Sequence, residues 1–263
     1  MLKPREVAKK EVKVIIDAHL HLGNDRVFDE KTTEEEIIKT IDNHGIDGAI
    51  VQPMVDTPSI DVARNCHDRI ARMAEDNPGR IFGMVSLNPH LKEEEFEKEI
   101  DRCIKELEFV GIKLNPLAHA CNPLSKDGMR LFEKARELEA PVMVHTGAGI
   151  PFSLPAMVIP IAKKFLDLKI ILAHGGNNIT AGEALVVAEQ CDNVFLEPSW
   201  VAIHIVCKFI KSLGASRIMF GSDMLENCPV ELAKYRNMRL AREELEQCLW
   251  KTAKEVFNLS VSP

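Results

Sequence analysis

The sequence predicts an α/β fold, a single-domain (β/α)8 TIM barrel, on three observations. Short Val/Ile/Leu-rich runs alternate with longer stretches of helical periodicity along the whole chain. Eight such units recur about every thirty residues, the spacing of strand–helix repeats. The length of 263 residues is close to the roughly 250 typical of one such barrel. A doubly wound open sheet is the alternative, but it usually carries a Gly-rich phosphate-binding turn after its first strand. Here that strand ends in Asp17-Ala18-His19-Leu20-His21.

The predicted strands are Val12–His21, Gly48–Met54, Ile81–Leu87, Val110–Asn115, Val142–His145, Lys169–His174, Val194–Glu197 and Ile218–Asp223. Each ends in a polar or Gly/Pro cluster, as fully buried parallel strands do. The first helix opens on a capping box, Thr33 to Glu36, before Ile37, Ile38 and Ile41, and Gly45 ends it. Asp61–Glu75 follows, with Val62, Cys66, Ile70 and Met73 at helical intervals, stopped by Asn77-Pro78-Gly79. Leu91–Glu108 reads as one acidic amphipathic helix; Lys126–Leu138, Pro155–Leu168, Thr180–Gln190, Val201–Leu213 and Glu243–Phe257 supply the rest. The barrel is expected over 12–263, after an N-terminal extension over 1–11, with no linker or second domain.

Hydrophobic residues make up 46% of the chain and charged residues 28%, enough for an ordinary core. The net charge of −7, with no long Lys/Arg cluster, argues against a nucleic-acid partner. Seven cysteines form an odd set without a Cys-x-x-Cys pair. Cys66, Cys103, Cys191, Cys207 and Cys248 fall in helical stretches and Cys121 and Cys228 in loops, all read as free structural thiols. The opening ten residues are charged and lack the apolar core of a signal peptide. No run reaches the roughly 18 apolar residues of a membrane span. A cytoplasmic enzyme is expected, with a small-molecule substrate, no nucleic acid, no membrane, and at most a second copy of itself as partner.

Active sites of such barrels form at the C-terminal ends of the strands. Polar residues there are His19 and His21, Lys113 and Asn115, His145, His174, Glu197 and Asp223. His19 and His21 stand two apart on a strand and so share a face. A His-x-His pair is common by chance, but a third imidazole at the end of strand five and a carboxylate at the end of strand eight complete a ligand set for a first-row divalent ion.

Five segments in order, Ile16-Asp17-Ala18-His19-Leu20-His21, Gly111-Ile112-Lys113-Leu114-Asn115-Pro116, Val142-Met143-Val144-His145-Thr146-Gly147, Ala173-His174-Gly175-Gly176 and Phe220-Gly221-Ser222-Asp223, resemble the amidohydrolase superfamily. The resemblance is to its amidohydrolase-related branch, which includes aminocarboxymuconate-semialdehyde and resorcylate decarboxylases, and it spans nearly the whole chain. It implies that His19, His21, His145 and Asp223 bind one divalent metal, Zn²⁺ first and Mn²⁺ or Fe²⁺ as alternatives. It further implies that Asp223 takes a proton from water on the metal and that His174 is the general acid/base. Some relatives carry a carbamylated lysine between two metals, which would make Lys113 the bridge and give His145 and His174 to the second ion. An unmodified Lys113 paired with a substrate carboxylate is the other reading, and one metal is favoured. Asp17, two before His19, is expected to orient a ligand imidazole.

His44, His67 and His204 read as surface or packing residues, whereas His90 and His119 follow strand ends and are candidates to line the pocket. Glu197 is either substrate-facing or a helix cap, and Trp200 either an aromatic pocket wall or a closure of the rim. The leading expectation is hydrolysis of a C–N or C–O bond in a small carbonyl- or carboxylate-containing molecule. The alternative is non-oxidative decarboxylation of a small unsaturated or aromatic acid. A metal-bearing protein without catalysis is the reading of a different class, and His174 argues against it.

Overall fold

The computed structural model describes residues 12–25, 29–54 and 59–261. The expected extension over 1–11 lies outside them.

The chain runs β1 (Ile16–Asp25), β2 (Glu30–Thr32), α1 (Glu34–His44), β3 (Gly48–Pro53), α2 (Ile60–Asp76), β4 (Ile81–Gly83), β5 (Val85–Ser86) and α3 (Glu93–Asp101). It continues through β6 (Ile112–Leu114), α4 (Lys126–Glu137), β7 (Val142–His145), α5 (Ile159–Lys164), β8 (Ile170–Ala173), α6 (Asn177–Gln190), β9 (Val194–Glu197) and α7 (Ile203–Leu213). α8 (Cys228–Asn237), α9 (Arg242–Glu246) and α10 (Thr252–Phe257) complete it.

Parallel pairing runs β1-β3-β4 and then β5-β6-β7-β8-β9. β4 and β5 are two pieces of one barrel strand, interrupted at Met84, whose N–H donates to Val51 O at 2.9 Å. The eighth position is taken by 218–223, which bridges Leu196 through Ile218 and Leu20 through Asp223. Met219 N–H donates to Leu196 O on one side, and Asp223 N–H donates to His19 O at 2.7 Å on the other, so the sheet closes. This segment forms only isolated bridges, not the regular strand expected, because the Ser222 N–H is taken by Asp17 Oδ1 and Asp223 is left-handed at φ 68°.

Side chains alternate between two cores. Leu20, Leu22, Ile112, Leu114, Val142, Val144, Leu196 and Phe220 face the helices. Ile16, Ala18, Ile50, Met84, Met143, Ile171 and Met219 fill the barrel, which α10 plugs from below with Ala253, Val256 and Phe257. On β3, β7 and β9 the inward series ends one step higher in a polar residue: Gln52 above Ile50, His145 above Met143, Glu197 above Phe195.

β1 departs from this alternation. Its register against β3 shifts between Asp17 and Leu20, a bulge. Ile16 and Ala18 fill the barrel below it, and His19 and His21 take over the inward face above it while Leu20 and Leu22 turn to the helices. The strand also begins later and runs further than expected, into a hairpin with β2 (Gly23 opposite Thr32) that no alternation in 30–32 announces.

The capping box of α1 is present, with Thr33 and Glu36 bonded reciprocally. The expected straight helix over 91–108 instead ends its α-turns at Asp101 and passes into a π-turn over Arg102–Glu106. The last helix likewise contains a π-turn over Gln247–Lys251, and 155–164 opens as a 3-10 turn before α5. α8 was not expected, since Cys228-Pro229 reads as a loop; Pro229 sits in the first turn, where its missing N–H costs nothing.

Candidate active site

The inward positions above the bulge bring His19, His21 and Asp223 together. Asp223 Oδ1 lies 3.2 Å from His19 Nε2 and 3.1 Å from His21 Nε2, and the two nitrogens are 3.1 Å apart. The far nitrogen of each ring is spoken for: His21 Nδ1–H donates to Pro53 O at 3.2 Å and His19 Nδ1–H to Glu197 Oε2 at 2.7 Å. Both Nε2 lone pairs and the Asp223 oxygen thus converge on one point, where Lys113 Nζ reaches His19 Nε2 and Gln52 Nε2 reaches His21 Nε2. Cis ligands of an octahedral ion are about 3.0 Å apart and those of a tetrahedral one about 3.3 Å, for bonds of roughly 2.0–2.1 Å. The donor triangle fits a divalent metal ion.

Glu197, fully buried, organises this cluster. Besides His19 it receives Ser199 N–H on Oε1 at 2.7 Å, and Ser199 Oγ lies 3.1 Å from its Oε2. Burial pushes its carboxyl upward, while neighbouring His174 and the Ser199 N–H pull the other way. A Cβ at Gly221 would sit 2.8 Å from the Glu197 carboxyl carbon, so only glycine admits this approach. Glu197 therefore turns to His19 and Ser199 and fixes the orientation of the His19 imidazole.

Asp17, expected to orient one of these imidazoles, bonds neither ring. Asp17 Oδ1 accepts from the backbone N–H of His19 and of Ser222, and its Oδ2 from the Ser222 hydroxyl at 2.5 Å. The bulge removes it from the face of the His19 and His21 rings, and it ties the backbone of β1 to the closing segment.

His145 and His174 form a second pair. His174 Nε2 lies 3.0 Å from His145 Nδ1 and its Nδ1 lies 2.9 Å from Ser199 Oγ. Ala148 O can only accept, so His145 Nε2–H donates to it at 3.0 Å, His145 Nδ1 accepts from His174 Nε2–H, and His174 Nδ1 accepts from the Ser199 hydroxyl. His145, expected as the fourth ligand, thus stands outside the His19–His21–Asp223 triangle. β7 ends on His145, and its nearest barrel neighbour is the end of β8, not of β1. Burial holds the His174 imidazole well below its usual range, and carries His145 down to about 4. The glycines after His174 take left-handed φ of 47° and 79°, the sharp turn expected there.

Lys113 is buried and inward, its Nζ 2.9 Å from His19 Nε2. Burial pushes its ammonium down to about 8. Asn115, beyond the end of β6, instead closes a turn: its Oδ1 accepts from Ala118 N–H at 3.2 Å. His119 is buried against a cavity of about 30 Å³ with Pro53, Met54, Ser86 and Leu87. His90 is exposed and paired with Asp127 at 2.7 Å, away from the cluster. Trp200 donates its indole N–H to Asp223 Oδ2 at 2.8 Å.

Burial alone would raise the Asp223 carboxyl, but the surrounding His174, His19 and His21 hold it well below the carboxylate range. His174, Trp200 and Asp223 all have left-handed backbone, rare for non-glycine residues and frequent where a site is built. Two contributors escape the sequence reading. Ser199 lies past the expected end of strand seven, and Gln52, whose amide Nε2 lies 3.3 Å from His21 Nε2, shows itself only by ending the inward series of β3.

His19, His174 and Glu197 also bring three donor atoms together, and a third group, His67, Glu99 and Cys103, is fully committed elsewhere. Glu99 is bonded by Arg64, Arg102 and His67, and His67 Nε2 accepts from Ser86 N–H.

Among the described residues no helix is long and apolar enough to cross a membrane. Comparison with known proteins gives the family. A gamma-resorcylate decarboxylase of Polaromonas sp. (strain JS666 / ATCC BAA-500) is 23% identical, over 86% of this chain and 88% of its own. The crystal structure of a dihydroxybenzoic acid decarboxylase from Polaromonas sp. JS666, with bound manganese and the inhibitor 2-nitroresorcinol, superposes with a TM-score of 0.76 at 18% identity, over 95% of this chain and 98% of that one. The 5-carboxyvanillate decarboxylase of Sphingomonas paucimobilis gives 0.77 at 14% identity, over 95% and 100%. Residues 16–259 match the profile of the amidohydrolase family. The chain belongs to that family, in its amidohydrolase-related branch, and is a divalent-metal-dependent (β/α)8-barrel enzyme.

Proposed function

We propose that the enzyme is a non-oxidative decarboxylase of a small unsaturated or aromatic carboxylic acid. The observation that carries this over the hydrolytic reading is the similarity to a gamma-resorcylate decarboxylase along nearly the full length of both chains. The site supports it, because Lys113 puts a buried cation where a substrate carboxylate can be paired, beside the ligand cluster.

His19, His21 and Asp223 would hold the metal, with His145 turning from Ala148 O to join them. When bound, a divalent ion acts as a Lewis acid that draws substrate oxygens into place and stabilises negative charge. In the reaction the bond between ring carbon and carboxylate breaks, CO2 leaves, the electron pair stays on the carbon, and one proton is added there. His174 is the group suited to deliver it. Ser199 holds its Nδ1, and its Nε2, 3.0 Å from His145 Nδ1, would pass on a proton first taken up from solvent. Asp223 is less suited, since its low carboxyl stays ionised and Trp200 occupies its second oxygen.

The test is direct. Protein loaded with Mn²⁺ or Zn²⁺ is incubated with 2,6-dihydroxybenzoate, 5-carboxyvanillate and related unsaturated acids, and CO2 release is measured. Decarboxylation of at least one acid, lost on chelation, is expected. No CO2 from any of them, with turnover of lactones or amides, would establish hydrolysis instead.

A further inference from the structure

Trp200 is held with unusual care for a residue on the rim. Its φ of 64° is left-handed, a conformation bulky side chains rarely adopt. Its N–H donates to Glu231 Oε1 at 2.8 Å and its carbonyl accepts from Asn178 Nδ2 at 3.2 Å. Glu231 is itself buried and fixed by Asn227 and Lys234. Nothing in the packing of the barrel calls for this, because the side chain is 42% exposed. What the strained backbone achieves is the indole contact with Asp223 Oδ2.

That contact divides the carboxylate. Oδ1 faces His19 and His21 while Oδ2 is tied to the indole, so Asp223 presents one oxygen to the cluster. From this anchor the ring extends into solvent at the C-terminal mouth of the barrel. Leu117, Ile150, Ile179 and Ile203 are also exposed and lie in the segments that follow β6, β7, β8 and β9, on the same side of the barrel. An exposed ring anchored on Asp223, above the polar cluster of His19, His21 and Asp223, suits a molecule with one charged end and one flat hydrophobic end.

We propose that Trp200 is a positioning and specificity residue: its indole N–H restricts Asp223 to one-oxygen donation, and its ring is the wall against which a planar unsaturated acid lies. The second half rests on the substrate class proposed above. Both halves are read by binding, without turnover, so failure of the decarboxylation assay leaves them separately testable.

Metal affinity is measured by titrating Mn²⁺ into apo wild-type, Trp200→Phe and Trp200→Leu proteins. Benzoate and cyclohexanecarboxylate are then titrated into each Mn²⁺-loaded protein. Trp200→Phe, which keeps a ring but loses the N–H, should weaken Mn²⁺ binding roughly 10- to 100-fold and keep the preference for benzoate. Trp200→Leu should lose metal affinity equally and also lose about 3- to 10-fold of that preference. Wild-type Mn²⁺ affinity in Trp200→Phe overturns the first half. Equal binding of the two acids by wild type, or an unchanged preference in Trp200→Leu, overturns the second. A measurement that leaves Trp200 intact guards against a folding defect. The chain has two tryptophans, so in Trp250→Phe the emission of Trp200 stands alone. It should shift on Zn²⁺ addition, and a constant emission at saturating Zn²⁺ overturns the indole–Asp223 contact.

Discussion

His19 Nδ1 lies 2.7 Å from Glu197 Oε2, and both side chains are fully buried. The contact joins the first barrel strand to the seventh and decides which nitrogen of His19 faces the cluster. A carboxylate behind a ligand imidazole fixes its tautomer and raises its basicity. Glu197→Gln keeps the shape and removes the charge. Metal affinity, measured by competition with a chelator, should fall roughly 10- to 100-fold. An unchanged affinity would mean that His19 is not a ligand.

Purified protein should bind about one divalent ion per chain, with ligand distances of roughly 2.0–2.2 Å. His19→Ala and His21→Ala should abolish binding, as read by elemental analysis. Lys113→Met should leave the metal in place but raise KM for an acid substrate, since it removes the buried cation and no donor. A carbamate on Lys113, detected by its carbon resonance in ¹³CO2-equilibrated protein and accompanied by two ions per chain, would replace this with a binuclear site.

His174→Asn should keep its metal yet lose roughly 10²–10⁴ in turnover, the range for removing a general acid/base. His145→Asn should lose metal affinity and turnover together. If His174→Asn strips the metal as thoroughly, His174 is a ligand. If turnover is untouched, the proton passes elsewhere.

Burial carries the His119 imidazole from 6.5 down to about 4. The folded state therefore binds this proton less well than the unfolded chain does. Its contribution is whole above pH 6.5 and is lost as pH falls towards 4, by up to about 3 kcal/mol. Urea unfolding of metal-free wild type and His119→Asn at pH 7.5 and 4.5 checks this. The acid-induced loss should be smaller in the variant by that order, whatever packing His119→Asn costs at both pH values.

The His67–Glu99–Cys103 group should be structural. Cys103→Ser should leave metal content unchanged. Glu99→Ala, which leaves Arg64, Arg102 and His67 without their shared buried carboxylate, should destabilise the fold by about 3–5 kcal/mol in chemical denaturation. A loss of bound metal in Cys103→Ser would identify a second metal site.

The sequence by itself determined the alternation of strands and helices, the capping box at Thr33, and the polar strand ends from which His19, His21, Lys113, His174 and Asp223 emerge. These follow from periodicity and local bonding, which act over a few residues. The tertiary structure decided what those residues touch. The bulge in β1, set by register against β3, breaks the two-residue alternation on which the reading of Asp17 depended. It leaves Asp17 to the closing segment, 205 positions away at Ser222, and gives His19 to Glu197, 178 positions away. The turning of His145 towards His174 and the grip of Trp200 on Asp223 arise in the same way, from barrel closure. Such pairings leave no trace in local pattern, because closure of the sheet, not spacing along the chain, brings their atoms within hydrogen-bonding reach.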